Sequence, residues 1–234
     1  MHGDYAITGR SAATLRGTEL ARTDDPVEVL VPHEKRLTIA NGIAVHRLAH
    51  FDSDHEYWQG LPMANAERMA LDLVRGQELP TAVARLDAVC RAKAVNASSF
   101  AAWLTKSHGH GVVRAREAVK LVDVRSESIP ESVVRVLLLK AGVNAEPQHV
   151  VRHLGAFVAR VDLAVIEARI AVEYERAWHA LREQLEQDRR RLGLLREAGW
   201  QVVHVTADQL RRPGEVVDAV RRAIRAHSAN WEPS

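Results

Sequence analysis

The stretch "RVDLAVIEARIAVEYERAWHA", residues 160–180, limits the fold more than any other part of this 234-residue chain. Two apolar, β-rich runs meet at a short polar break, which is the pattern of an antiparallel hairpin. A two-residue turn at Glu167-Ala168 would set Asp162 opposite Glu173, with β-carbons about 5 Å apart. Period-two alternation puts Glu175 on the face of Glu173 and turns Val172 and Tyr174 to the other face. Glu-Ala is not a favoured hairpin turn, so the register depends on the turn; a longer turn still leaves the carboxylates as neighbours.

Adjacent carboxylates repel, and each raises the other's pKa unless a cation lies between them. A hard divalent ion such as Mg²⁺ takes such a pair of oxygen ligands and completes its shell with water and substrate phosphate. Asp162 and Glu173 therefore read as a metal site for phosphodiester hydrolysis. The other reading is a solvated strand face with Glu175 paired to Arg160.

Further residues bear on that choice. Leu181, Leu185, Asp188, Leu192 and Leu195 form one helical stripe in which Asp188 is the single charge. Asp188 either pairs with Arg191, one turn along, or reaches toward the hairpin. Glu131, in "SIPE" from Ser128, either completes a capping box or projects an acid toward the sheet. His179, directly after the carboxylate strand, is either structural or a proton donor and phosphate contact. The "HGH" at 108–110 lies in a glycine-rich loop without acids beside it and reads as loop.

The polar stretch "VRSESIPES", residues 124–132, divides the chain into domains at 1–125 and 126–234. Before it, strands are expected at 27–31 and 43–48, and helices at 65–75, 81–94, 98–105 and 112–123, a smaller α+β domain. After it the spacing predicts a helix over 131–142 and strands at 148–154, 156–166 and 169–175. A long helix to Gly199, a strand at 200–206 and a helix over 213–226 follow. That order, with helices covering a sheet, is an α/β layer arrangement.

Lys and Arg total 32 against 30 Asp and Glu, a balance that permits nucleic-acid binding without demanding it. The single cysteine, Cys90, excludes an internal disulfide and points to a reducing cytoplasm; its apolar helical setting suits an inert core thiol. No apolar run resembles a signal peptide or is long enough to cross a bilayer, so a cytoplasmic protein without membrane partners is expected.

Taken together, "DLA", "VEYE…WH", "D..R" and above all "REAGWQVVHVTADQL" resemble the endonuclease-like domains related to the very-short-patch mismatch-repair endonuclease. These belong to the PD-(D/E)XK nuclease superfamily, and the likeness spans roughly residues 126–226. It implies a restriction-endonuclease-like αβββαβ core and a nuclease using Mg²⁺, or Mn²⁺ in its place, with DNA as substrate. By position it implies Glu131 as the acid of the first helix, Asp162 as the motif aspartate and Glu173 as the second acid. Gln148, His179 and the Asp188–Arg191 pair match further family positions. The superfamily lysine would fall at Glu175, and Lys140, nine residues beyond Glu131, projects from the opposite side of its helix. The Vsr-like branch often lacks this lysine and carries aspartate followed by glycine. Arg176 stands where that glycine would be, and it either disturbs the backbone there or contacts phosphate itself. Residues "ITGRSAATLRG", "VEVLVP", "GIAVHRL" and "LPMANAERMALDLV" resemble abortive-infection antitoxin-like proteins without their winged helix. That second likeness implies a toxin or defence-system partner, and a silent nucleic-acid-binding or antitoxin-like regulator remains the alternative to a nuclease.

Overall fold

The computed structural model describes residues 5–35, 41–48, 53–175 and 182–230, with the side chains of 182–185 and 228–230 excepted. The chain divides into two compact units, Met1–Val124 and Arg125–Ser234. The first, expected to be the smaller, is the longer of the two.

The first unit is α+β. It runs β1 (Ala6–Ile7), α1 (Gly9–Leu15), β2 (Val27–Pro32), β3 (Ile43–Leu48), β4 (His55–Trp58) and β5 (Leu61–Ala64). Helices α2 (Ala66–Val74), α3 (Leu79–Arg91), α4 (Ala97–Lys106) and α5 (Val112–Val119) follow. The sheet order is β3-β2-β1-β5-β4, with β2 and β3 parallel from Val27↔Ile43 to Pro32↔Leu48. Asn65 and Asn96 start α2 and α4 by accepting the Arg68 and Ser99 amides. β1, β4 and β5 are too short, and β5 too interrupted by Pro62, to leave a period-two signal.

This unit buries charge as well as carbon. Asp72 accepts from Thr8 Oγ1 at 2.7 Å and from Arg68 Nη2 and Nε at 2.7 and 3.0 Å. Glu28 takes Arg10 Nε at 2.8 Å and lies 3.2 Å from His46 Nε2. Gly9, at φ +56°, has to be glycine, since a β-carbon there would lie 2.0 Å from Glu28 Oε2.

The second unit runs α6 (Ile129–Lys140), β6 (Glu146–His153), β7 (Ala156–Val165), β8 (Ile170–Tyr174), α7 (Arg182–Glu197) and β9 (Gln201–Val205). It ends with the short α8 (Ala207–Leu210) and α9 (Pro213–Asn230). This is the expected αβββαβ order of an α/β core with a closing helix. The sheet is β6-β7-β8-β9, antiparallel through β8 and parallel between β8 and β9.

Two apolar layers hold the sheet. Val134 and Leu138 of α6, with Val216 and Val220 of α9, pack on Leu163, Val165, Ile170 and Val172. On the other face Leu195 and Ala198 meet Ala159, Val161, Ala164 and Ala171. Each fully buried Leu or Ile contributes about 2 kcal/mol.

The β7–β8 hairpin has the expected register, with Leu163 facing Val172 and Val165 facing Ile170. Its turn is not the expected two-residue one. Ile166–Ala168 form a 3₁₀ turn, and Arg169 at φ +48° closes it, so the chain reverses without needing a type I′ sequence.

Candidate active site

One row of side chains crosses the second sheet. Glu173 of β8 pairs directly with His204 of β9. The flanking pairs Pro147↔Leu163 and His149↔Val161 set Gln148 level with Asp162, and Leu163↔Val172 sets Asp162 level with Glu173. Asp162 itself leaves the ladder. Ala159, Val161 and Ala164 all pack under α7, so the alternation of β7 slips once, at Asp162–Leu163. Opposite that slip Gln148 adopts φ +55°, an unusual conformation for a side-chain-bearing residue in a strand. The freed Asp162 carboxylate turns back on the chain and accepts the Tyr174 amide at Oδ2, 3.1 Å away.

Glu131 joins the row from the first turn of α6, where it is 4% exposed. It is fixed at the helix start, though not by a full capping box, and it also reaches the sheet. Its Oε1 accepts the Ser128 hydroxyl at 2.7 Å, while its Oε2 accepts the Glu127 amide at 2.9 Å. The same Oε2 accepts the Gln148 side-chain amide at 2.8 Å. Helix capping thus fixes the glutamate, and Gln148 ties it to the sheet.

Arg191 of α7 closes the cluster. Its guanidinium is bidentate on Glu173, Nη1 reaching Oε2 at 2.8 Å and Nη2 reaching Oε1, and Nη2 also donates to the Arg160 carbonyl at 3.1 Å. Two sequence expectations are corrected here. Asp188 is exposed rather than buried in the apolar stripe, and it adds only its field to Arg191, which reaches across to β8 instead. Glu175 does not pair with Arg160. It lies 3.2 Å from His204 Nδ1, while Arg160 holds Glu127 at 2.9 and 3.0 Å. Lys140, at the far end of α6 from Glu131, is exposed. Arg176 and His179 lie outside the described residues.

His204 is the member that sequence reasoning missed. Alternation in "QVVHV" turns His204 away from Val203 and Val205, but its partner depends on a parallel pairing that no turn sequence announces.

The electrostatics are lopsided. Burial pushes the Asp162 carboxyl up to about 6, with Glu131 and Glu173 adding to the rise and the Tyr174 amide and Arg191 opposing it. The hydrogen bonds to Glu173 hold the Arg191 guanidinium above its ordinary value. The Arg191 guanidinium binds Glu173 directly and reaches Asp162 only through its field, while Glu131 is held by hydrogen bonds alone. Among the described residues no group of three or more His, Cys, Asp or Glu side chains is arranged to hold a metal ion. The donor chemistry nevertheless suits a hard cation at Asp162. Its Oδ1 receives no hydrogen bond among the described residues, and Glu173 would be shared between ion and Arg191.

No family model matches the chain. Two uncharacterized proteins of Mycobacterium tuberculosis, from strains CDC 1551 and H37Rv, are each 33% identical to it over 159 residues. That match covers 66% of this chain, which spans 59% of the length of each of these relatives. Among solved structures, the catalytic domain of the homing endonuclease I-Bth0305I aligns over 42% of this chain and 95% of its own length. Its sequence identity is 22% and its TM-score 0.35.

Proposed function

We propose that the second unit is a metal-dependent nuclease of the PD-(D/E)XK, Vsr-like type, hydrolysing phosphodiester bonds in DNA. The observation that supports this most is the convergence of Glu131, Asp162 and Glu173 at one kink of the sheet, with Arg191 bound to Glu173. A structural cluster would match its charges; this one leaves Asp162 costly to ionise.

In this reading Asp162 and Glu173 would hold Mg²⁺, or Mn²⁺ in its place, and the bound ion would polarise the scissile phosphate and activate water. Gln148, fixed by Glu131, sets the kink that frees Asp162. Arg191 orients Glu173 by engaging both of its carboxylate oxygens. Glu175 stands where the superfamily lysine would fall, and the His204 imidazole beside it would offer its Nε2 as acceptor for a proton from water. Arg176 is assigned to phosphate and His179 to the leaving oxygen. The first unit would be an antitoxin-like regulator, the setting cytoplasmic, and a defence-system or repair context the natural one.

A second reading has its own observation. Arg191 engages both oxygens of Glu173, and Glu175 stands where the superfamily lysine would fall. Both features fit a silent nucleic-acid-binding regulator that keeps the fold. Incubation of plasmid, linear, mismatched and single-stranded DNA with Mg²⁺ or Mn²⁺, against an EDTA control, separates the two. Metal-dependent cleavage lost in Asp162→Asn supports the nuclease. DNA binding without cleavage of any substrate supports the regulator.

A further inference from the structure

The β6–β7 hairpin projects from the acidic row and ends in features that folding does not explain. Its turn, Leu154-Gly155, closes between the paired residues His153 and Ala156, with φ +49° at Leu154 and +82° at Gly155. A two-residue turn of this kind favours Asn or Asp at the first position, because a branched apolar side chain is strained at positive φ. Here the strained residue is a leucine that is 93% exposed. Phe157, 62% exposed, faces Arg152 directly across the ladder, just past a register shift between Val151 and Arg152 that re-aims the pair. Neither large apolar side chain meets the core.

The acids of the hairpin lie at its base, Glu146 beside His149 at 3.6 Å and Asp162 in the acidic row, and none lies toward the tip. From Pro147 to Val161 the sequence "PQHVVRHLGAFVARV" carries Arg152, Arg160, His149 and His153 and no acid. Arg160 is held by Glu127 at the base, but Arg152 donates only to the Gly155 carbonyl, at 3.3 Å, and meets no carboxylate among the described residues. An arginine without a carboxylate partner among the described residues, Arg152, beside a tip of exposed apolar side chains suits a polyanion whose interior is stacked rings. The five residues from Asp162 to Phe157 span about 17 Å of strand.

We propose that this hairpin is a duplex-engaging wedge. Leu154 and Phe157 press between base steps of DNA, and Arg152 contacts a backbone phosphate, some five base pairs from the bond placed at the acidic row. The inference rests on the nuclease reading for the position of that bond, but not for DNA binding itself.

The test measures binding of the full chain to a fluorescent DNA duplex in EDTA, comparing wild type, Leu154→Asn/Phe157→Ser and Arg152→Ser. Asparagine suits the turn better than leucine, so the double variant keeps or raises thermal stability. Its affinity falls about tenfold, as expected when stacking side chains are removed. Arg152→Ser lowers the slope of affinity against salt by about one. A 2-aminopurine probe in the duplex brightens with wild type and not with the double variant. Wild type that binds no duplex, or a double variant that binds as tightly as wild type, overturns the wedge. So does wild-type self-association abolished by the double variant, which would make the tip a contact between copies. Metal-dependent cleavage by wild type with unchanged binding by the double variant overturns the wedge while the nuclease reading stands. Weakened binding by the double variant without wild-type cleavage upholds the wedge and overturns the nuclease reading.

Discussion

Both units of this protein bury carboxylates, and they treat them in opposite ways. In the first unit Asp72 is enclosed by Arg68 and Thr8, with Arg75 Nη2 3.4 Å away. Burial pushes the Glu28 carboxyl up, but the His46 and Arg10 hydrogen bonds outweigh it and leave it below the ordinary glutamate value. In the second unit Asp162 is driven up to about 6 beside two further acids. A matched charge locks a fold, whereas an unmatched one marks a place that another cation can occupy. On the proposed function, the contrast would separate structural acids from functional ones within a single chain.

Four mutations test that contrast. Asp72→Ala removes the bidentate partner of Arg68, which is 3% exposed and among the described acids keeps only Asp54, 3.7 Å away, and should cost about 3 kcal/mol in denaturant unfolding. Arg191→Leu removes the guanidinium that holds Glu173 and leaves that carboxylate without its ion-pair partner. Because that pair is partly exposed, the loss should be about 1–3 kcal/mol. Its second signature is a further rise of the Asp162 pKa, readable by carboxyl NMR.

Asp162→Asn should do the reverse of Asp72→Ala. The folded chain holds the Asp162 proton more tightly than the unfolded chain does. That stabilisation is full below the ordinary aspartate pKa of 3.8 and is lost as pH rises through about 6. Asparagine keeps an acceptor for the Tyr174 amide and never ionises. The variant should therefore be more stable than wild type by about 1 kcal/mol near pH 7, after allowance for partial exposure, and show no advantage below about pH 4. Gln148→Gly, which relieves the positive φ but deletes the tie to Glu131, should change stability by less than about 1 kcal/mol while lowering any cleavage activity.

Much of the second unit was legible because its signals are local and periodic. The apolar runs fixed three strands, Gly199 ended the long helix, and the hairpin register followed from alternation even though the turn differs. The acids were legible for the same reason, since a carboxylate inside an apolar run stands out. What could not be read depends on geometry between elements. An Asp188–Arg191 pair was one of two arrangements the helical spacing allowed, but the rotation of α7 against the sheet points Arg191 at Glu173 instead. The positive φ of Gln148 has no sequence marker, and His204 enters only through a parallel pairing. In the first unit the two-residue β1 and the hairpin of β4 and β5 left no pattern to read.

Calorimetric titration of Mg²⁺ into the full chain at neutral pH tests the central claim most directly, with Asp162→Asn and Asp72→Asn as paired variants. The account predicts saturable binding in wild type, its loss in Asp162→Asn, and its retention in Asp72→Asn wherever that variant still folds by circular dichroism. Absence of binding in folded wild type, or binding that survives unchanged in Asp162→Asn, would contradict it.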